Sequence, residues 1–157
     1  MKHTISILVE NRFGVLARVA GLFSARGYNI DSLTVSETSD ATVSRMTVVV
    51  NAEDERILEQ IKKQLNKLID VITVVDYTKK DYVEREMAFV KIAVPKKDFA
   101  SLKKRVAKAS AQVISKSDGS CIVELVGDQE HIKNFLEGLK DFKVVELVRS
   151  GRIAIAK

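Results

Sequence analysis

Hydrophobic positions in the first half of the chain follow two different periods. Four segments are rich in β-branched residues and predict strands; they are 4–10 (TISILVE), 30–37 (IDSLTVSE), 42–51 (TVSRMTVVVN) and 71–77 (VITVVDY). Two stretches between them carry apolar residues at helical spacing. Gly27 stands where a left-handed residue ends a helix, and Asn51 followed by Asp54 is typical of a helix start. The predicted order of elements is βαββαβ.

The same order returns in the second half of the chain. Pro95 favours the start of a helix, Asp118-Gly119 predicts a tight hairpin, and Asp128 can cap a last helix. The four strands predicted here are 86–94, 112–116, 120–126 and 142–148. Two short β-α-β crossovers per unit place helices on one face of an antiparallel sheet. We therefore predict an α+β protein of two ferredoxin-like units, at 1–78 and 79–157, joined by a short ordered tether.

Composition indicates a globular protein without a membrane-spanning segment, but it does not indicate a function. Apolar residues make up 46% of the 157, which is ordinary for a globular chain, and no apolar run approaches the roughly 20 residues that span a bilayer. The start of the chain lacks the layout of a secretory signal, and one cysteine excludes an internal disulfide, so a cytoplasmic location is expected. The net charge of +5 lies wholly in residues 80–157, where interleaved acidic residues favour a solvated surface.

No catalytic or metal-binding set is visible in the sequence. His3 and His131 have no metal-ligand spacing, and we interpret both as structural. Cys121 alternates with apolar residues along a predicted strand, which favours a buried core position over a nucleophile. Glycine-rich nucleotide-binding motifs are also missing. The sequence therefore predicts neither catalytic residues nor a metal in this chain.

The turn at residues 11–16 is the best candidate for a ligand site. It joins a strand to the first turn of a helix, where unpaired N–H groups and the helix dipole favour a carboxylate. Gly14 permits close approach to the backbone, and the Asn11 amide can serve an ammonium or a carboxylate group. An α-amino acid needs both kinds of partner and an apolar slot. In the alternative interpretation, Asn11 is only a helix cap and Gly14 only a turn residue.

The second strand adds a possible dimer contact. It is expected at a sheet edge, and it contains no Pro or Lys that would block pairing with a second copy. Its central residues are Leu33, Thr34 and Val35. Pairing of two such edges would bring Asn29 of one copy toward the Asn11 turn of the other, so that a ligand at the interface would sense how the two halves meet.

Six segments of the sequence resemble the small, regulatory subunits of acetolactate synthase, whose N-terminal part is an ACT domain. These segments are 9–16 (VENRFGVL), 21–35 (GLFSARGYNIDSLTV), 44–47 (SRMT), 58–71 (LEQIKKQLNKLIDV), 83–87 (VEREM) and 149–154 (RSGRIA). The resemblance covers essentially the whole chain, and the 26–35 segment is the most specific part of it.

The resemblance implies a subunit that does no chemistry alone. It implies a catalytic (large) subunit as partner, which the small subunit activates and renders sensitive to feedback inhibition by valine in branched-chain amino-acid synthesis. The partner, a thiamine-diphosphate-dependent transferase, would hold thiamine diphosphate, Mg and FAD, and this chain would hold none of them. Carried over by position, the effector-binding residues are Asn11, Gly14, Val15 and Leu16, with Asn29 and Ile30 from the other chain of a homodimer. Arg12 departs from the acidic or small residue usual in the family.

Three other functions remain open on the residues alone. The chain could be an ACT-domain regulator of another amino-acid enzyme. It could be a ferredoxin-like nucleic-acid-binding module, although the predicted central strands lack the aromatic residues that stack bases. It could be an acylphosphatase, which needs an arginine after the first strand, but the glycine-rich loop of that family is missing. The expected partners therefore include neither nucleic acid nor a membrane.

Overall fold

The computed structural model describes residues 2–52 and 55–157 and confirms two βαββαβ repeats. The first repeat consists of β1 (Lys2–Glu10), α1 (Val15–Ser24), β2 (Ile30–Glu37), β3 (Val43–Asn51), α2 (Glu55–Leu65) and β4 (Val71–Asp76). The second consists of β5 (Tyr82–Ala93), a 3-10 turn (Lys96–Asp98), α3 (Phe99–Lys108), β6 (Gln112–Ser117), β7 (Ser120–Gly127), α4 (Gln129–Glu137) and β8 (Lys143–Arg149), and is followed by β9 (Ile153–Ala156). The helix start predicted from Asn51 and Asp54 cannot be compared with the structure, because residue 54 lies outside the described residues.

Both sheets are antiparallel and place their first strand in the interior. The first has the order β2-β3-β1-β4 and the second β6-β7-β5-β8, with β9 also pairing with β5. The prediction that β2 lies at an edge is therefore confirmed. None of the helices in the described part of the chain is long and apolar enough to cross a bilayer.

The first core lies between its sheet and helices α1 and α2. Alternate residues of β1 point toward the helices, and Ile5 and Ile7 are fully buried there. Phe23 from α1 and Ile61 from α2 are also 0% exposed. Burying one such side chain contributes about 1.5–3 kcal/mol. This core therefore fixes α1 on the sheet and with it the position of the 11–16 turn.

The second core repeats this arrangement with α3 and α4. Val90 and Ile92 of β5 pack with Leu102 of α3 and Ile132 of α4, and all four are almost completely buried. Cys121 belongs to the same cluster at 1% exposure. Its interpretation as a core residue is thus confirmed.

The chain divides into two compact units whose boundary is not the predicted one. Met1–Val83 and Arg152–Lys157 form one unit, and Glu84–Gly151 form the other. Residues 79–83 and 152–157 therefore lie with the first unit rather than the second. The reason is β9, an unpredicted strand that contacts β1, while the N–H of Lys157 donates to the carbonyl of Asp81 at 3.1 Å.

Equivalent helices in the two units end in the same way but with different residues. At the end of α1 the N–H of Tyr28 donates to Phe23 O, and Gly27 has a φ of 70°. At the end of α3 the N–H of Ala111 donates to Val106 O, and Ser110 has a φ of 52°. Both ends are Schellman motifs, in which glycine is the preferred left-handed residue. Ser110 is therefore a strained position.

Exchanging these two residue types should shift stability in opposite directions. Ser110→Gly is expected to raise the free energy of unfolding by about 0.5 kcal/mol, because relief of left-handed strain outweighs the added freedom of the unfolded chain. Gly27→Ser is expected to lower it by about 1 kcal/mol for the converse reason. Urea unfolding monitored by circular dichroism measures both changes. A lower midpoint for Ser110→Gly would contradict the prediction.

Candidate functional site

The 11–16 turn is held against the hairpin that joins β2 to β3. The N–H of Asn11 donates to Thr42 O at 2.7 Å, and its side-chain Nδ2 donates to Ala41 O at 2.8 Å. The hairpin is itself ordered by Asp40, which accepts from the hydroxyl and the amide of Thr42, and these bonds hold the pKa of Asp40 below its usual value. Because Nδ2 is engaged, the Asn11 amide has its oxygen left as an acceptor.

The first turn of α1 offers open hydrogen-bond donors. Gly14 precedes the helix with φ 81° and ψ −7°, no side chain caps it, and its first turn carries no acidic residue. The helical ladder begins with Arg18, whose N–H donates to Gly14 O at 3.0 Å. Within the described residues, the amides of Leu16 and Ala17 donate to no acceptor. A carboxylate would find two unpaired donors and the positive end of a helix dipole there.

The guanidinium of Arg18 lies beside this turn, in an ion pair with a buried carboxylate. Its Nε donates to Asp70 Oδ2 at 2.8 Å, and Asp70 is 7% exposed. The Asp70 carbonyl also accepts from the N–H of Glu10 at 2.9 Å, so one residue positions both the arginine and the end of β1. A Cβ built on Gly14 would lie 3.2 Å from Arg18 Nη1. The residue at position 14 is therefore in reach of this cation.

The predicted residues Val15 and Leu16 have different surroundings. Val15 is 2% exposed and belongs to the core, and its N–H donates to Arg12 O at 3.4 Å, so little of this residue is open to a ligand. Leu16 is 45% exposed and presents its side chain at the surface. Arg12, the departure from the family pattern, forms an ion pair with Glu10 at 3.1 Å. Its charge is thus partly neutralised by its own neighbour.

Asn29, on the other side of the predicted site, belongs to a network at the start of β2. Its Nδ2 donates to Asp31 Oδ1 at 2.8 Å, and Asp31 Oδ2 lies 3.2 Å from Lys2 Nζ. The ladder between β2 and β3 shifts register between Ile30 and Ser32, so Asp31 stands at an irregularity of the strand. As at Asn11, the Asn29 amide has its oxygen left as an acceptor.

A single chain does not bring the two halves of the predicted site together. Along β1, Lys2 lies opposite Asn51 and Glu10 lies opposite Val43. These eight residue steps, at about 3.4 Å each, span roughly 27 Å. Ile30 pairs with Val50, so Asn29 and Ile30 lie at the Lys2 end of the sheet. Asn11 and Gly14 follow Glu10 at the opposite end.

Three charged residues next to these halves were not predicted from the sequence, namely Arg18, Asp31 and Asp70. Arg18 lies one helical turn after Gly14, a spacing that could have suggested it. Asp70 comes from the loop before β4, some fifty residues later, and only the folded sheet reveals its contact. Asp31 looks like an ordinary strand residue until the register shift is known.

The two histidines are held by structural contacts, in agreement with their interpretation. His3 is 4% exposed, and its Nδ1 lies 2.8 Å from Thr78 Oγ1, which in turn donates to Asp76 Oδ1 at 2.6 Å. His131 Nε2 donates to Ala109 O at 2.9 Å. Among the described residues, no group of three His, Cys, Asp or Glu side chains is arranged to hold a metal ion.

Cys121 should be protected from thiol reagents in the folded chain. Burial raises the pKa of its thiol, so the reactive thiolate forms only at higher pH than in a free cysteine. At pH 8 we expect labelling by iodoacetamide to be at least about tenfold slower than in urea-unfolded protein, as followed by mass spectrometry. Equal rates in the folded and unfolded chain would contradict the core position.

Two family models together match almost the whole chain. Residues 5–73 match the AHAS small subunit-like ACT domain, and residues 85–157 match the small subunit of acetolactate synthase. The probable acetolactate synthase small subunit of Archaeoglobus fulgidus is 41% identical over 157 residues, which cover 100% of this chain and 98% of the relative. The isozyme 3 small subunit of Salmonella typhimurium is 42% identical over 158 residues, covering 100% and 96%.

A solved structure agrees with these matches. The crystal structure of the acetolactate synthase small subunit from Thermotoga maritima superimposes with a TM-score of 0.90 at 33% identity, covering 100% of this chain and 98% of that one. Sequence and fold therefore lead to the same assignment across both units. The chain belongs to the family of acetolactate synthase small subunits, the regulatory subunits of that enzyme.

Proposed function

We propose that this chain activates the catalytic subunit of acetolactate synthase and confers feedback inhibition by valine on branched-chain amino-acid synthesis. The observation that carries the proposal is a pair of amides at the start of α1, on Leu16 and Ala17, which donate to no acceptor in the part of the chain that the structure describes. These donors lie in the 11–16 turn, within the region that matches the ACT domain of this family. The proposal assigns effector binding to residues 1–78.

The groups in the two halves of the predicted site, at the 11–16 turn and at Asn29, match the two charges of an α-amino acid. The carboxylate would accept from the amides of Leu16 and Ala17, close to the guanidinium of Arg18. The ammonium group has only donors, and it would face the amide oxygens of Asn11 and Asn29. The exposed side chain of Leu16 would contact the branched side chain, and burial of a valine-sized group contributes about 1.5–3 kcal/mol.

The halves of this site come from two copies of the chain in the proposed assembly. If two β2 strands, each the outermost strand of its sheet, pair antiparallel, the start of one strand lies beside the end of the other. Within one chain the end of β2 lies near the Asn11 turn, because Glu37 pairs with Ser44 and Val9 pairs with the same residue. Antiparallel pairing would therefore bring the partner's Asn29 to that turn. A valine bound there would contact both copies at once.

Inhibition then follows from linkage between the ligand and the dimer. Valine can change enzyme activity only by binding one arrangement of the regulatory dimer better than another. A coupling of about 1–3 kcal/mol between effector and partner binding is typical of such systems. Thiamine diphosphate, Mg and FAD would belong to the catalytic subunit, in the cytoplasm. The second unit, residues 84–151, has a net positive charge and would then dock that partner or complete the dimer.

The direct test mixes the full chain with its catalytic subunit and follows acetolactate formation from pyruvate, with and without valine. We expect the chain to raise the rate and valine to lower it again. Leucine and isoleucine serve as parallel effectors, since the described site does not rank the three. Failure to raise the rate, or a raised rate that no branched-chain amino acid lowers, would count against the proposal.

A further inference from the structure

Asp31 controls the direction of an amide in the effector site. We propose that it is a positioning residue: by accepting from Nδ2 of Asn29, it turns the amide oxygen of Asn29 toward the ligand and so makes the site select an α-ammonium group. The inference rests on the proposed function, because it concerns the same effector site. It adds a residue whose role is to set ligand selectivity rather than to touch the ligand.

The chemistry of the carboxylate fixes the orientation of Asn29. An ionised carboxylate only accepts hydrogen bonds, and the Asn29 side chain lies 2.8 Å from Asp31 Oδ1. The group facing Asp31 must therefore be the NH₂, and the oxygen is the half that remains for a ligand. An ammonium group can only donate, so it needs that oxygen. A rotated amide would present NH₂ to it and repel it.

The carboxylate of Asp31 is itself held in place. Its second oxygen pairs with Lys2 at 3.2 Å, and its side chain is 21% exposed. The register shift between Ile30 and Ser32 marks an irregularity at this position. Asn11 is oriented by a separate acceptor, the Ala41 carbonyl, at 2.8 Å. Two asparagines are thus turned by two independent acceptors, and both are left with their oxygen as an acceptor.

This arrangement predicts how the site discriminates between two ligands of the same shape. L-valine carries an ammonium group where (S)-2-hydroxy-3-methylbutanoate carries a hydroxyl. A hydroxyl can donate to an amide oxygen or accept from an amide NH₂, whereas an ammonium can only donate. Without the acceptor at residue 31, nothing holds the Asn29 oxygen toward the ligand, and the affinity for valine falls. The affinity for the hydroxy acid stays nearly the same, because its hydroxyl can pair with either half of the amide.

The test measures the Kd of both ligands by calorimetry on the full-length chain, for the parent and for Asp31→Leu, which is close to aspartate in size but has no acceptor for Asn29 Nδ2. We expect the preference for valine over the hydroxy acid to fall about tenfold, since hydrogen bonds to charged groups contribute on that scale. Asp31→Ala provides a second variant without an acceptor and should show the same fall. Asp118→Ala, at an exposed turn of the second unit, is the matched control and should keep the parental ratio.

The outcomes separate this inference from the proposed function. If the parent binds valine and the ratio is unchanged in both Asp31 variants, the positioning role is wrong while the effector site stands. If the Kd values of both ligands rise by the same factor, residue 31 affects only the overall structure of the site, and the inference is again wrong. If the folded parent binds neither valine nor another branched-chain amino acid, the proposed function fails and the inference fails with it.

Discussion

Valine inhibition is expected to weaken by at least about a hundredfold when Gly14 is replaced by aspartate. The Cβ of the new side chain would lie 3.2 Å from Arg18 Nη1. Its carboxylate could therefore form an ion pair with the guanidinium and accept hydrogen bonds from the amides of Leu16 and Ala17. It would then occupy the place of the ligand carboxylate and repel it. The same ion pair with Arg18 helps the variant to fold. The valine concentration for half inhibition of the reconstituted enzyme measures the effect.

The matched control for this variant lies in the second unit. Gly119 has a φ of 79°, almost the same as the 81° of Gly14, and a Cβ there meets no atom within 4 Å. Gly119→Asp therefore introduces equal backbone strain and equal charge far along the chain from the effector turn. It should lose stability but keep its response to valine. Parental inhibition by valine in a folded Gly14→Asp variant would refute the carboxylate site.

The second large effect is expected from a charge on β2, the outermost strand of the first sheet. Val35 is 39% exposed at this edge, and natural proteins use lysine to guard such edges against pairing. In a two-fold dimer Val35→Lys would place two ammonium groups in one interface, where like charges cost several kcal/mol. We expect a monomer in light scattering at micromolar concentration. Valine binding should be lost together with the dimer, because each chain supplies only half of the site.

A lysine at the opposite edge of the same sheet tests whether position matters. Ile72 on β4 is 53% exposed, so Ile72→Lys makes a similar change of charge and size without touching β2. This variant should stay dimeric and respond to valine. If Val35→Lys also remains a dimer, the subunits meet elsewhere and the shared site needs a different geometry.

The fold could be predicted because the hydrophobic spacing of each helix and strand depends on residues that are close in the sequence. The β-branched residues of 4–10 and the stripe of apolar residues after Gly14 each depend on neighbours within a few positions, so both patterns can be recognised in a single sequence. Gly27 fulfilled its predicted role because only a left-handed residue completes that helix end. The strand β9 was missed because four residues of alternation are too few, and its partner β5 lies some 70 residues earlier.

The candidate site could be predicted only in part. Helix-start chemistry led to Asn11 and Gly14, because it depends on consecutive residues. The contacts of Arg18 with Asp70 join residues that meet only in the folded sheet. The sequence also could not show that Asn29 lies at the far end of the sheet from Asn11, since strand register decides that distance. This separation is what makes a second copy necessary for the proposed pocket.

The return of residues 152–157 to the first unit has a consequence for how the protein is made. Residues 84–151 form the other unit, so they are inserted in the sequence of the first. During translation the whole of the inserted unit is therefore synthesised before the first unit has received residues 152–157. The unit that begins first along the sequence is thus the second of the two to have all of its residues available for folding.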